Sequence, residues 1–394
     1  MWRLGFFFHE MAFGLLSVFL PLYVIAIGGT LIDIGVMSAV ALLLAIPASF
    51  FWGYICDKTK RYKRYILLSF LSLAILLYLF SLTPNVGFLM ILYAIIAILH
   101  VAHESPKNVL IAELYSRQEW DKTFALYEGF TEAGWLIGLL LGFLASTYGI
   151  GSASTLLLCS GLNLLAFVLS LILVADPIFI FERSLVSLEK TVDFTSKGVV
   201  IASKILDGLS LNEKLKKENL SAFCSGLVLF SLATSILFTP LPIFFSRDLT
   251  LPASIIFAIY MLNSGGGIVG YLLVSGKQRS LGTNSPVSKI VIFRSVLAFL
   301  LITVTMSAYS AFLAAVILIL MGFAYALFLV FTLSSSMELI PVGKAGLFNV
   351  LIGIGGALGS FIGPVAAQAL GFTPVFLIAG IIFFLSYISF KVFT

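Results

Sequence analysis

Three short groups of ionisable residues interrupt long apolar runs in the first half of this 394-residue sequence: His9-Glu10, His100-x-x-His103-Glu104-x-x-Lys107 and Glu128-x-x-x-Glu132. Imidazoles and carboxylates of this kind take up and release protons, or bind a divalent cation. At helical spacing each group keeps to one face. Glu10, Gly14, Ser17 and Pro21 form one such row; His100, His103, Glu104 and Lys107 form a second; Glu128, Thr131, Glu132 and Trp135 form a third. Glu128 and Glu132 repel when both are ionised, so a proton held and released during a cycle becomes feasible. Two structural alternatives stay open. Glu104 and Lys107 could form an internal ion pair, and Glu128 or Glu132 could pair with Arg117 or Lys122. A metallohydrolase is not supported. His9-Glu10-Met11-Ala12-Phe13 lacks the second histidine of a zincin, and His100-x-x-His103-Glu104 has neither zincin nor inverted-zincin spacing. No resident metal or cofactor is expected, although His9, Glu10, His100, His103 and Glu104 could converge on a divalent cation.

The elements that position these groups are set by hydropathy. The chain is 60% hydrophobic and only 10% charged, with a mean hydropathy of +1.13. About a quarter of a soluble domain is charged, so soluble, disordered and nucleic-acid-binding classes are excluded, and an integral membrane protein is expected. Cys56, Cys159 and Cys224 are odd in number and form no CxxC pair, so no disulfide framework is implied. Twelve apolar segments are expected as helices, because backbone exposed to lipid must satisfy its hydrogen bonds internally. They are spans 1–12, at 4–27, 31–55, 64–82, 86–111, 123–147, 153–175, 219–245, 251–275, 287–307, 309–337, 345–370 and 372–391. The first run carries His9-Glu10 and no A-x-A site, and reads as a retained span rather than a signal peptide. A charge in the bilayer core costs about 2.5–3.5 kcal/mol, so the ionisable groups should face a cavity or a partner.

Basic residues set the expected orientation. Lys58, Lys60, Arg61, Lys63 and Arg64, then Arg117 and Lys122, seven bases in 176–218, and Lys277 and Arg279 all fall in even-to-odd connections. The opposite side carries Arg247. Both termini are therefore expected in the cytoplasm, with the chain in the cell (plasma) membrane. The charged stretch 176–218 divides two six-helix bundles, 1–175 and 219–394, and is expected as a cytoplasmic linker, with surface helices or as a solvated tether.

The halves resemble each other at an offset of 221. Ala125–Gly129 in span 5 matches Gly346–Val350 in span 11, and Gly134, Gly138 and Gly142 fall on Gly355, Gly359 and Gly363. Small residues four apart favour close helix packing. Asn349 occupies the repeat position of Glu128. Two repeats of six spans about a linker indicate a transporter rocking around a midplane site.

Over nearly its whole length the chain resembles the major facilitator superfamily. Between spans 2 and 3 that family carries G-x-L-a-D-R-x-G-R-K, and here GYICDKTKRYKR supplies Gly53, Asp57, Lys58, Arg61 and Lys63, with Lys60 in place of the second glycine. Span 5 resembles the family's glycine-rich bending motif without its proline, which span 11 carries as Pro364. The resemblance implies an all-α fold of twelve transmembrane helices in two pseudo-symmetric six-helix bundles. It implies that Asp57 meets the start of span 11 near Gly346, and that Arg61 and Glu113 join a latch closing the cytoplasmic side. It places spans 1, 4 and 5 around the central cavity and span 9, with Arg294, outside it. The arginine of span 4 associated with antiporters is absent.

In the second half the cavity candidates are neutral, Asn263 and Asn349 foremost. Thirty-seven Phe and three Gln favour an apolar or amphiphilic solute, cationic because of the glutamates, over a sugar. The expected function is secondary active transport without enzymatic activity: proton-coupled efflux of lipophilic or cationic small molecules by alternating access. Sodium is the alternative coupling ion. The alternative function is a symporter or uniporter importing a nutrient or divalent metal cation. The expected partners are a small-molecule substrate, protons and the lipid bilayer, with no nucleic acid, and the chain is expected to be a monomer.

Overall fold

A computed structural model describes residues 2–82, 84–114, 120–176, 220–275, 286–305, 307, 309–339 and 346–393. Its regular structure is entirely helical among the described residues. Among the described residues, twelve helical segments are long and apolar enough to cross a membrane. Spans 1–3 are Leu4–Ala26, Leu31–Thr59 and Tyr62–Leu82. Span 4 is broken: Val86–His100 passes through a single 3-10 turn, Val101–His103, into Glu104–Leu114. Spans 5 and 6 are Trp120–Thr147 and Ser152–Leu173. Span 7 runs as Leu220–Phe238 and resumes after Pro240 as Leu241–Arg247. Spans 8–12 are Ala253–Ser275, Val287–Val304, Ser310–Leu339, Gly346–Leu370 and Phe372–Phe393. Most of 176–218, together with Arg117, Lys277, Arg279 and the side chains of Glu113 and Lys122, lies outside the described residues.

Local chemistry fixes the ends that matter. Span 2 begins in a reciprocal cap: Thr30 Oγ1 accepts from the Asp33 backbone N–H at 3.2 Å, and Asp33 Oδ2 accepts from the Thr30 N–H at 2.7 Å. The helix continues through Gly53 and Asp57 to Thr59, further than the apolar run alone suggests, and Lys58 in the last turn suits the negative end of the helix dipole. It stops at Lys60, whose N–H bonds to the Cys56 carbonyl at φ 55°. A lysine thus adopts the left-handed conformation that glycine takes at little cost. Asp176, just beyond span 6, accepts a hydrogen bond from the Lys63 N–H at 2.7 Å and ties the start of span 3 to the end of the first half.

Helix neighbours repeat between the halves. Span 1 packs on spans 5 and 6, span 3 on 6 and 4, and span 2 on 4. Span 7 packs on 11 and 12, span 9 on 12 and 10, and span 8 on 10, which is the same pattern shifted by six. The cross-half pairs, 2 with 11 and 5 with 8, also exchange under that shift. The glycines show the correspondence at atomic level. A β-carbon on Gly134 or Gly138 would collide with the carbonyl oxygens of Phe7 or Met11 in span 1. On Gly355 or Gly359 it would collide with those of Val228 or Leu232 in span 7, each partner 221 residues further on. Gly363 meets Ile236 in the same way, whereas Gly142 faces the Phe257 ring of span 8. Gly138→Val should therefore separate spans 1 and 5 and cost roughly 1–3 kcal/mol. A clear drop in the melting temperature of the purified protein is the expected reading.

Between the halves, the Ile32 N–H donates to Gln368 Oε1 at 3.2 Å, and Gly35 packs against Ser360 and Pro364 at the face opposite the termini. Deeper in, Ile46 touches Gly353. At the other end of span 2, Asp57 and Arg61 are exposed, and Asp57 makes no hydrogen bond or ion pair with a described residue. Its expected partner, the start of span 11 near Gly346, opens the described helix Gly346–Leu370, whereas residues 340–345 before it and the Glu113 side chain lie outside the described residues.

Candidate functional site

The break in span 4 gathers the site. In a 3-10 turn residues three apart eclipse, so His100 and His103 project on one side of the helix, with ring centroids 4.9 Å apart. Span 1 brings His9 beside both. Its Nε2 lies 3.2 Å from His100 Nδ1, and its Nδ1 lies 2.8 Å from Asn163 Oδ1 of span 6. The amide orientation follows from hydrogen bonding: Asn163 Nδ2 donates to the Cys159 carbonyl at 3.0 Å, which turns Oδ1 towards His9. His9 then carries its proton on Nδ1 and points the Nε2 lone pair at His100. Ser69 of span 3 donates to the His100 carbonyl at 3.2 Å and contacts His103 Nδ1 at the same distance. Phe6, Phe13 and Phe70 pack their rings around the cluster.

A charged chain continues from these imidazoles. His103 Nε2 is 3.2 Å from Glu104 Oε1, and Lys107 Nζ is 2.6 Å from Glu104 Oε2 and 4.0 Å from Glu128 Oε1. Lys107 also lies 5.5 Å from the centre of the Tyr127 ring. One ammonium thus serves two carboxylates, which leaves the group an excess negative charge whenever both are ionised. Glu128 keeps 29% of its side-chain surface exposed and Glu104 34%, whereas Lys107 keeps 12%. Both carboxylates are part-exposed while the cation is mostly covered. Glu10 is half-buried and has no hydrogen bond or ion pair to a described residue, although Lys107, Glu104, Glu128 and Glu132 are within electrostatic reach. Glu132 is bonded across the halves: Ser264 Oγ of span 8 donates to its Oε1 at 2.5 Å.

Of the residues singled out in the sequence, His9, His100, His103 and Glu104 form one contiguous cluster, joined through Lys107 to Glu128. The Glu104–Lys107 ion pair is present, but Glu128 shares Lys107, and Glu132 turns to Ser264. His9 and His103 are wholly buried inside spans 1, 3, 4 and 6, because Asn163 and Ser69 supply their polar partners there. For a cation, the histidines gather but Glu10 does not join them. Asn349 is exposed, and Asn263 is half-buried with its backbone against Gly322 of span 10 and its Oδ1 without a hydrogen-bond partner among the described residues. Asn163 and Ser69 are the groups that sequence reasoning missed. An Asn within an otherwise apolar span is itself a signal of a buried partner.

Arg294 also departs from expectation. The helix is peripheral, yet the side chain turns inward, 1% exposed, and its Nε and Nη1 have no hydrogen-bond partner among the described residues. Its guanidinium lies 4.9, 5.1, 5.4 and 5.8 Å from the ring centres of Phe230, Phe383, Tyr325 and Phe238. Phe230 is the repeat counterpart of His9, so the second half fills with aromatic rings the place where the first holds imidazoles. A planar guanidinium stacks on such rings and an ammonium does not. Arg294→Lys should therefore lower the melting temperature more than Arg294→Met, because it keeps the buried charge and loses the stacking.

The family model described as Major Facilitator Superfamily matches residues 4–349. The chain belongs to that superfamily. Multidrug resistance protein MdtG of Enterobacter lignolyticus is 33% identical over 173 residues, which is 41% of this chain and 41% of that protein. MdtG of Escherichia coli O1:K1 / APEC is 32% identical over 167 residues, 40% of each. The match thus spans about two fifths of the length of these relatives. Among solved structures, one from work on proton-dependent oligopeptide transporters aligns with a TM-score of 0.76 at 13% identity, over 100% of this chain and 97% of that one. The human organic anion transporter MFSD10 aligns with a TM-score of 0.67 at 15% identity, over 98% and 97%. At these identities the neighbours share the fold. This member of the superfamily is a multi-pass membrane protein.

Proposed function

We propose that this transporter couples protons to the efflux of lipophilic or cationic small molecules by alternating access. The observation that carries the reading is the bond from Ser264 to Glu132. An intramembrane carboxylate whose hydrogen-bond partner belongs to the other half is a group whose charge depends on how the halves meet. Glu128, one helical turn away, competes with Glu104 for Lys107, so a cation approaching this group meets more carboxylate than ammonium. Protonating Glu132 removes one of the negative charges that would hold a cationic solute. Proton and solute then occupy the same charge in turn, which is the physical requirement of antiport. The groups that bear on this carboxylate are Glu10, Glu128, Tyr271 and Tyr325. In this reading both termini are cytoplasmic, and the close packing of Ile32 and Gly35 on span 11 closes the outer face. The similarity over two fifths of the chain to MdtG, a multidrug resistance protein, supports efflux of drug-like small molecules.

The test is flux of tetraphenylphosphonium, a lipophilic cation, in proteoliposomes. An imposed pH gradient should drive its accumulation in the absence of sodium. Accumulation that ignores the pH gradient and follows a sodium gradient would transfer the coupling to sodium, and indifference to both would end the reading.

A further inference from the structure

We propose that His9, His100 and His103 form a binding site for a transition-metal ion of the zinc type, internal to spans 1, 3, 4 and 6. The inference goes beyond proton coupling and does not depend on it. One ligand nitrogen from each of the three histidines lies within 4.8 Å of the other two. Zinc–imidazole bonds of about 2.0–2.1 Å at a tetrahedral angle hold two nitrogens about 3.3 Å apart. His9 Nε2 and His100 Nδ1 already stand at 3.2 Å, so these two ligands are preformed and His103 closes the site by a modest ring movement.

The surrounding bonds point the same way. Metal-binding histidines usually donate their second ring N–H to an oxygen that fixes the tautomer. His9 does so towards Asn163 Oδ1, and that amide is itself held by the Cys159 carbonyl. The lone pair on Nε2 is thereby committed to the space between the rings. An incoming ion replaces the hydrogen-bond proton between His9 and His100. That proton stays on the protein, as His100 takes the tautomer protonated at Nε2. Glu104, 3.2 Å from His103 Nε2, supplies negative charge beside the site. His100 is the half-buried member and offers the approach, while His9 and His103 are fully enclosed. Three imidazoles in an aromatic shell suit Zn2+, Co2+, Ni2+ or Cu2+ and not the oxygen-seeking Mg2+ or Ca2+. The bound ion would brace span 4 at its break, fastening the 3-10 turn to span 1.

The experiment titrates Co2+ into the purified full-length chain, with any polyhistidine tag removed, and follows the visible d–d absorption. One Co2+ per chain is expected, with bands lost on adding Zn2+ and unchanged by Mg2+. A saturating excess of Zn2+ should raise the melting temperature by at least about 2 °C. Both responses should vanish in His100→Ala, which alters the part-exposed ligand and so spares the fold. In Asn163→Ala the affinity should fall roughly 10- to 100-fold, because only the orienting group is lost. No cobalt absorption in the parent protein, or absorption that persists unchanged in His100→Ala, would overturn the site. Either result is independent of whether tetraphenylphosphonium flux follows the pH gradient.

Discussion

Glu132→Gln is expected to abolish pH-driven accumulation of tetraphenylphosphonium while leaving passive equilibration intact. A pH difference of two units supplies about 2.7 kcal/mol per coupled proton, enough to hold roughly a hundredfold solute gradient. Glutamine keeps the shape of the side chain and can still accept from Ser264, so the bond between spans 5 and 8 survives. It cannot exchange a proton. The steady-state ratio across the vesicle should fall from tens towards one, with the initial exchange rate changed much less. Ser264→Ala should do less harm, since the carboxylate remains and only its partner in the second half is lost. Glu128→Gln should be intermediate, because Lys107 then serves Glu104 alone. Undiminished accumulation in Glu132→Gln would remove this carboxylate from the coupling step.

The second large effect is on stability. Lys107→Met takes away the ammonium that stands 2.6 Å from Glu104 and 4.0 Å from Glu128. Removing one partner of a buried ion pair typically costs about 3–5 kcal/mol, because the remaining charge has lost its compensation. Partial exposure of both glutamates puts this pair towards the lower end of that range. The variant should melt well below the parent in detergent. Combining it with Glu104→Gln should restore most of the loss, since the orphaned charge disappears with its partner. A single variant that melts with the parent would mean that water, not Lys107, stabilises these carboxylates.

How much of this was readable from the sequence differs by element. The twelve helices were, because lipid allows a continuous apolar run almost one solution. The repeat was also legible: the offset that aligned Gly138 with Gly359 also relates their packing partners Met11 and Leu232. Span 2 exceeded its apolar limit because the backbone keeps its helical bonding through the polar turn up to Lys60, which hydropathy does not register. The rows on spans 1, 4 and 5 identified which residues share a face, but not what each face meets. His9 meets Asn163 and Ser264 meets Glu132 across long separations in sequence, and no periodicity encodes such pairings. The break at Val101–His103 was hidden for a related reason. Nothing in the residues 101–103 forbids a continuous α-helix, and the tight turn emerges only where His100 and His103 both find partners inside the bundle. The inward turn of Arg294 was likewise unreadable, because its cage is assembled from spans 7, 10 and 12.

Proton release on solute binding tests the exchange at Glu132 most directly. Tetraphenylphosphonium is added to the purified protein in weakly buffered detergent near neutral pH, and a pH indicator counts the protons freed per bound cation. If solute and proton alternate on Glu132, release should approach one proton in the parent protein and fall to nearly none in Glu132→Gln. Saturable binding without any proton release by the parent would contradict the exchange.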